Sequence, residues 1–94
     1  GMPAGGVYAN AGADSTVAFS APSVDIPLNR SSSFGATSYV WSVQPVPAGA
    51  SIVSADPVTG TATLRVQSPG VYVVQLQASD GASTDTATRQ ITVN

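Results

Sequence analysis

Apolar and polar residues alternate along most of the chain, in short runs separated by residues that favour turns. In the run SVDIPL (23–28), Val24, Ile26 and Leu28 alternate with Ser, Asp and Pro. This period of two predicts a half-buried β-strand. Because Pro27 has no backbone N–H to donate to a neighbouring strand, we expect this strand to lie at a sheet edge. Further strands are predicted for the runs SYVWSV (38–43), ASIVS (50–54), TATLRV (61–66), GVYVVQLQAS (70–79) and TATRQITV (86–93).

The start of the chain carries a broken strand pattern. VYAN (7–10) and STVAF (15–19) are separated by a Gly-containing segment, which predicts a first strand interrupted by a break or a bulge. Turn residues end the later runs, among them Asp56-Pro57 and Asp80-Gly81. About seven short strands in a chain of this length predict an all-β fold, a seven-stranded immunoglobulin-like antiparallel β-sandwich.

Two aromatic residues have structural positions in such a sandwich. Trp41 lies on the third predicted strand, where a central Trp is buried, so the core is favoured over an exposed sugar-stacking platform. Tyr72 opens the penultimate strand, at the position of a tyrosine corner whose hydroxyl bonds upstream backbone. The predicted core comprises Val24, Ile26, Leu28, Tyr39, Trp41, Val43, Ile52, Leu64, Val66, Tyr72, Val74, Leu76, Ile91 and Val93.

The composition removes several classes of chemistry. Of the 94 residues, 43% are hydrophobic and 9% are charged, and the sequence contains no Cys, His, Lys or Glu. Zinc sites and the Ser-His-Asp and Cys-His types of catalysis therefore lack their essential residues, so we expect no catalytic residues and no enzyme activity. The net charge of −2 and three scattered arginines provide no footprint for nucleic acid. No apolar run approaches the roughly 20 residues that a membrane helix needs, so we expect no membrane insertion.

The length corresponds to one domain. Gly1-Met2 is interpreted as the remnant of a cleaved tag, and the following residues, Pro3-Ala4-Gly5-Gly6, as linker. We therefore expect residues 1–6 to precede a domain that covers residues 7–94.

Four motifs resemble those of the PKD (polycystic-kidney-disease) repeat. They are ANAGADSTV (9–17), VDIPLNRSSS (24–33), SYVWSV (38–43) and SPGVYVVQLQASDG (68–81). The resemblance covers roughly residues 9–93. The chain departs from the best-known members after Trp41, where VQPVPAG (43–49) replaces their Phe-Gly-Asp-Gly, so it resembles a variant without the WDFGDG loop.

The resemblance implies a non-catalytic extracellular or cell-surface module, a structural spacer or interaction domain within a larger secreted or surface protein. Its partners would be neighbouring domains of its own chain, and we expect a monomer. The alternative is an accessory module that binds carbohydrate or a surface protein through loops 29–36 and 44–49. Phe34, in the first of these loops, is the candidate ligand contact.

Asp14, Asp80 and Asp85 are the candidates for calcium binding, because loop carboxylates are calcium ligands and the predicted sandwich brings the first strand near the last two. The competing interpretation is turn chemistry, since Asp followed by Gly, as at Asp80-Gly81, is a common hairpin turn. We expect no other cofactor.

Overall fold

The computed structural model describes residues 6–94, which form two β-sheets packed face to face. Residues 1–5, most of the predicted tag remnant and linker, lie outside the described residues. One sheet has the strand order β1-β7-β6-β3 and the other the order β2-β5-β4. Their bounds are β1 (Ser15–Val17), β2 (Val24–Leu28), β3 (Ser38–Val43), β4 (Ala50–Asp56), β5 (Thr61–Val66), β6 (Gly70–Ser79) and β7 (Thr84–Val93). The seven-stranded all-β sandwich is thereby confirmed.

The ladder between β6 and β7 is the longest in the fold. It is antiparallel and runs without a break from Gly70 opposite Val93 to Ser79 opposite Thr84. On its other side β6 pairs antiparallel with β3, which places Trp41 opposite Leu76. Side chains that point to the same face of three neighbouring strands therefore form one continuous apolar layer.

One strand pair differs from the antiparallel expectation. β1 runs parallel to the end of β7, with Ser15 opposite Ile91 and Val17 opposite Val93. The alternation of side chains is the same in parallel and antiparallel strands, so the sequence pattern does not distinguish them. The ladder continues past β1, because the Phe19 N–H donates to the Asn94 carbonyl at 2.7 Å and the Asn94 N–H donates to the Val17 carbonyl at 3.0 Å.

The outer strands of the three-stranded sheet carry features that interrupt further pairing. β2 is an edge strand, as Pro27 predicted. At the opposite edge, the register of β4 against β5 shifts between Val53 and Asp56. Ser54, inside this bulge, has a φ of 54°.

The core lies between the two sheets and agrees closely with the predicted set. Val24, Val43 and Ile52 are half-buried and pack against it, and the other predicted residues are fully buried. The alternation missed several small or early residues that are also buried: Val7, Ala9, Ala11, Ala62 and Ala78. Within the described residues there is no helix that could cross a membrane.

The predicted strand at 7–10 is wrong as a strand, although its alternating residues are buried. The segment makes a single β-bridge, between Tyr8 and Phe34. The next two N–H groups are bonded by side chains instead: the Ala9 N–H donates to the Asp85 carboxylate at 2.9 Å and the Asn10 N–H to the Ser33 hydroxyl at 2.7 Å. A segment whose backbone groups are hydrogen-bonded by side chains can be extended without forming a β-ladder.

The two structural aromatics each bond a backbone carbonyl. The Trp41 indole N–H donates to the Gly60 carbonyl at 3.0 Å inside the core. The Tyr72 hydroxyl donates to the Ser68 carbonyl at 2.7 Å, four residues upstream, which is the geometry of a tyrosine corner. Both large rings thus contribute apolar area to the core without leaving their polar atoms unpaired.

We expect Tyr72→Phe to lower the free energy of unfolding by about 1–1.5 kcal/mol, because the ring remains packed and only the hydroxyl bond to Ser68 is lost. Urea unfolding followed by the fluorescence of Trp41 measures the change. Tyr8→Phe is the control, since it keeps the ring contact with Phe34 and lies outside the sheets. Equal stability of wild type and Tyr72→Phe would contradict the corner.

Candidate functional site

The loops of the sandwich gather at two ends. The leading end is defined here by segment 7–11, loop 29–36 and hairpin turn 80–83. The trailing end is defined by loop 44–49, loop 67–69 and Asn94. Contacts fix both groups: the Tyr8–Phe34 bridge and the Ala9–Asp85 bond belong to the leading end, and the Gln67 N–H donates to the Gly49 carbonyl at the trailing end.

The two loops expected to form a ligand surface therefore do not meet. Loop 29–36 precedes β3 and loop 44–49 follows it, so the length of this strand separates them. A single ligand surface made from both loops of one copy is excluded. A ligand could therefore bind loop 29–36 or loop 44–49, but not both at once.

The leading end exposes an aromatic pair. The ring centroids of Tyr8 and Phe34 lie 5.3 Å apart with an interplanar angle of 32°. Two backbone hydrogen bonds hold the pair, from the Tyr8 N–H to the Phe34 carbonyl at 2.9 Å and from the Phe34 N–H to the Tyr8 carbonyl at 3.0 Å. Phe34 remains 51% exposed. A tilted aromatic pair with one open ring provides an apolar surface.

Local hydrogen bonds shape the loop that presents Phe34. The Ser33 hydroxyl is buried, donates to the Asn10 carbonyl at 3.0 Å and accepts from the Asn10 N–H at 2.7 Å. The Asn10 side-chain amide donates to the Ser32 hydroxyl at 2.7 Å. At Gly35 the φ is 82° and a Cβ would collide with the Gly6 carbonyl oxygen, so only glycine fits this close crossing.

Arg30 adds a cation to the leading end, but that cation is already bound within the domain. Its guanidinium lies 5.1 Å from the centroid of the Tyr39 ring. It also donates to the Tyr39 hydroxyl at 2.6 Å. This contact combines a cation–π interaction with a hydrogen bond. The Arg30 side chain thereby covers the buried Tyr39 at the leading end.

The three calcium candidates accept hydrogen bonds in three different places. Asp14 accepts from the Gln90 N–H at 2.9 Å, beside the β1–β7 ladder. Asp80 accepts from the Ala82 and Ser83 N–H groups within its own hairpin turn. Asp85 accepts from the Ala9 N–H. Among residues 6–94 no group of three or more acidic residues is placed to hold a metal ion, so calcium binding stays a prediction.

These bonds also change the acidity of the carboxyl groups. The Ser83 and Ala82 N–H groups hold the pKa of Asp80 below its usual value. The Ala9 N–H lowers the pKa of Asp85, and the Val58 and Thr59 N–H groups lower that of Asp56. On the outer side of the three-stranded sheet, the hydrogen-bonded guanidinium of Arg65 lowers the pKa of Asp25. In each case the ionised form is the one that the fold stabilises.

Solved structures with this fold are PKD and titin immunoglobulin-like domains. The PKD domain from the KIAA 1837 protein has a TM-score of 0.70 and 23% identity, over 92% of this chain and 84% of that chain. The titin M3 domain has a TM-score of 0.52 and 11% identity, over 87% of this chain and 88% of that one. A chimeric titin Z1Z2 carrying a KLER peptide from decorin has a TM-score of 0.52 and 17% identity, over 94% and 96% of the two chains.

No family model matches the chain, and no curated protein matches it. At the identities found, the likeness shows the fold alone, which is that of a PKD or immunoglobulin-like domain. The fold predicted from the sequence motifs is confirmed by these neighbours.

We expect stability to be lost only in acid. Because the pKa values of Asp25, Asp56, Asp80 and Asp85 are lowered on folding, their contribution is present above the unfolded value of about 3.9 and disappears as the pH falls through the folded values. The sequence contains no His. The free energy of unfolding should be nearly constant from about pH 8 to about pH 5 and decrease below about pH 4.

Urea unfolding at a series of pH values tests this expectation. Asp80→Asn is the matched variant, because an amide oxygen still accepts the turn hydrogen bonds while the titrating group is gone. Its acid limb should be shallower than that of the wild type. A main transition near neutral pH would show that another group controls stability.

Proposed function

We propose that this domain is a non-catalytic module that separates neighbouring domains of a larger secreted or cell-surface protein at a fixed distance. The observation that supports the proposal most directly is the course of β7. The described chain begins beside the first residues of β7 and ends just after its last residue, so the two ends of the domain lie at opposite ends of one ten-residue strand.

The spacing follows from strand geometry. Ten residues at about 3.3 Å each give about 33 Å along β7. The domain is elongated, with extents of 42 × 21 × 20 Å. Both ends are bonded to the frame, since Ala9 is held by Asp85 and Asn94 exchanges backbone hydrogen bonds with the first-strand region. A neighbouring domain attached at either end would therefore be held in a fixed orientation relative to the sandwich.

The arrangement also suits a module under tension. β1 and β7 run parallel, and their ladder hydrogen bonds lie across the strand direction. A force applied along the long axis loads several of these bonds together instead of opening them one at a time. The core on the inner side of β7, including Ile91 and Val93, has to be disrupted at the same time.

The location and partners rest on resemblance. A PKD-domain neighbour supports a secreted or cell-surface setting, and the fold of the PKD and titin neighbours supports a structural or interaction role. The partners proposed are the adjoining domains of the same chain. Neither nucleic acid nor a membrane is proposed, given three arginines, no lysine and a net charge of −2.

A second function is supported by the aromatic pair at the leading end. Phe34 is half exposed, its ring lies at a tilt against that of Tyr8, and the bonded pair of the Ser32 hydroxyl and the Asn10 amide belongs to the same two segments. Apolar faces flanked by neutral hydrogen-bonding groups suit a carbohydrate or a polar protein surface. We propose loop 29–36, without loop 44–49, as the recognition surface in that case.

The spacer function predicts a single, narrow distance between the two ends. The sequence contains no cysteine, so spin labels can be placed at Gly6→Cys and Asn94→Cys alone. A Cβ at Gly6 would meet no atom within 4 Å, but its φ of 81° strains any residue other than glycine, so the labelled variant must first match the wild type in urea unfolding. Pulsed electron resonance should give one narrow distribution whose mean matches the length of β7, about 33 Å, within the reach of the label linkers.

The control pair is Ala82→Cys with Asn94→Cys, which spans β7 without using the first segment. Both pairs should give similarly narrow distributions. If the Gly6 pair is broad while the Ala82 pair is narrow, the leading segment is not held and the domain does not set the orientation of a neighbour.

The recognition function predicts a ligand that depends on Phe34. A neutral glycan array probed with the wild type should show binding that is reduced roughly tenfold or more by Phe34→Ala, because truncation removes the open ring. Val46→Ala at the trailing end is the matched control, since this side chain is exposed and far from the pair. Equal binding by the wild type and Phe34→Ala would exclude Phe34 as the ligand contact, and binding by neither would contradict the recognition function.

A further inference from the structure

The free edge of β3 presents unpaired backbone groups. The Gln44 N–H donates to the Val73 carbonyl of β6, whereas the Tyr39 N–H points the other way and donates to the Pro57 carbonyl at 2.9 Å. Alternate residues of an antiparallel strand direct their N–H and C=O to opposite sides. Trp41 and Val43 therefore direct theirs away from β6, and no described residue bonds them.

The other sheet edges among residues 6–94 are protected against pairing. β2 carries Pro27, β4 has the bulge at Ser54, and β1 is only three residues long. Prolines, bulges and short strands are the usual means by which edges avoid association. β3 has none of these within its six residues.

We propose that the β3 edge pairs antiparallel with the β3 edge of a second copy of this chain, which joins two four-stranded sheets into one. The unbonded N–H and C=O groups of Trp41 and Val43 select the register. With the two-fold axis at Ser42, Trp41 of each copy lies opposite Val43 of the other. The four free N–H and C=O groups of each copy then form four hydrogen bonds between the copies.

Other registers leave at least one of these four groups without a partner. A shift toward the start of the strand brings in Tyr39, whose N–H is already bonded to Pro57. A shift toward the end brings in Pro45, which has no N–H. The pairing centred on Ser42 is therefore the one that uses all the open groups.

The exposed apolar side chains support the same register. Val58, in the turn that contacts Tyr39, is 76% exposed, and Val46, just beyond Pro45, is 79% exposed. Pairing about Ser42 brings the Tyr39 end of each copy to the Pro45 end of the other, so Val58 of one copy approaches Val46 of the second copy twice. Val40, 55% exposed, lies on the sheet face next to the axis.

The charge pattern allows two acidic copies to meet here. Each copy has a net charge of −2, but residues 38–49 contain no charged side chain, and Gln75 and Gln77 are the neighbours of β3 on β6. Four backbone hydrogen bonds and a few valine side chains make a small contact, so we expect the pairing to be weak. The domain is a monomer when dilute and pairs where copies are concentrated, as on a shared surface.

Sedimentation velocity of the wild-type domain from about 10 μM to about 1 mM tests the pairing over the range of weak affinities. The mean sedimentation coefficient should rise with concentration. Ser42→Lys places two ammonium groups at the axis and should weaken association roughly tenfold or more. Thr88→Lys adds the same charge to an exposed residue on β7 and should associate like the wild type.

Amide hydrogen exchange at low and high concentration identifies the edge. The amides of Trp41 and Val43 should become protected at high concentration, whereas the amide of Val40, which faces β6, should not change. A constant sedimentation coefficient over the whole range overturns the proposal. So does equal weakening by Thr88→Lys, or association that leaves both edge amides unprotected.

Discussion

The pairing of β6 with β7 over ten residues is the constraint on which the rest of the structure depends. It supplies the inner residues of both strands, among them Tyr72, Leu76 and Ile91, as one apolar layer between the sheets. The other strands of the larger sheet and the leading segment are placed by contacts with this ribbon: β3 along β6, β1 along the end of β7, and segment 7–11 through Asp85. A shift of one residue would turn the buried layer to solvent, so the register is strongly determined.

Sequence predicted most of this frame because period-two alternation is a direct consequence of burying one face of a strand. The runs around Ile26, Trp41, Leu64 and Val74 each place large apolar residues at alternate positions, and each is a strand of the structure. Where the alternation is weaker, the strand bounds differ from the predicted ones: β4 extends to Asp56 instead of ending at residue 54, and β7 begins at Thr84 instead of residue 86. The earlier start of β7 could not be predicted from the alternation, because Thr and Asp carry little hydrophobic signal.

The leading end was harder to predict, because it is held by polar contacts that join distant parts of the chain. Nothing local indicates that Asp85 accepts a hydrogen bond from Ala9, or that Ser33 bonds both backbone groups of Asn10. Val7, Ala9 and Ala11 do alternate, yet alanine gives a weak burial signal and no ladder formed. The predicted ligand surface that combined loops 29–36 and 44–49 was wrong, because β3 lies between the two loops and places them at opposite ends of the sandwich.

The charged side chains contribute little to the stability of the two sheets. Asp56 and Asp80 are used within their own turns, and the Asp25–Arg65 pair lies exposed on the three-stranded sheet, where ion pairs contribute little to stability. The outer face of the larger sheet presents Ser, Thr, Gln and Val side chains from β3, β6 and β7. Since backbone ladders and the apolar core are weakly screened by salt, the distance between the two ends is set by packing. A module built in this way keeps the same length in surroundings of very different ionic strength.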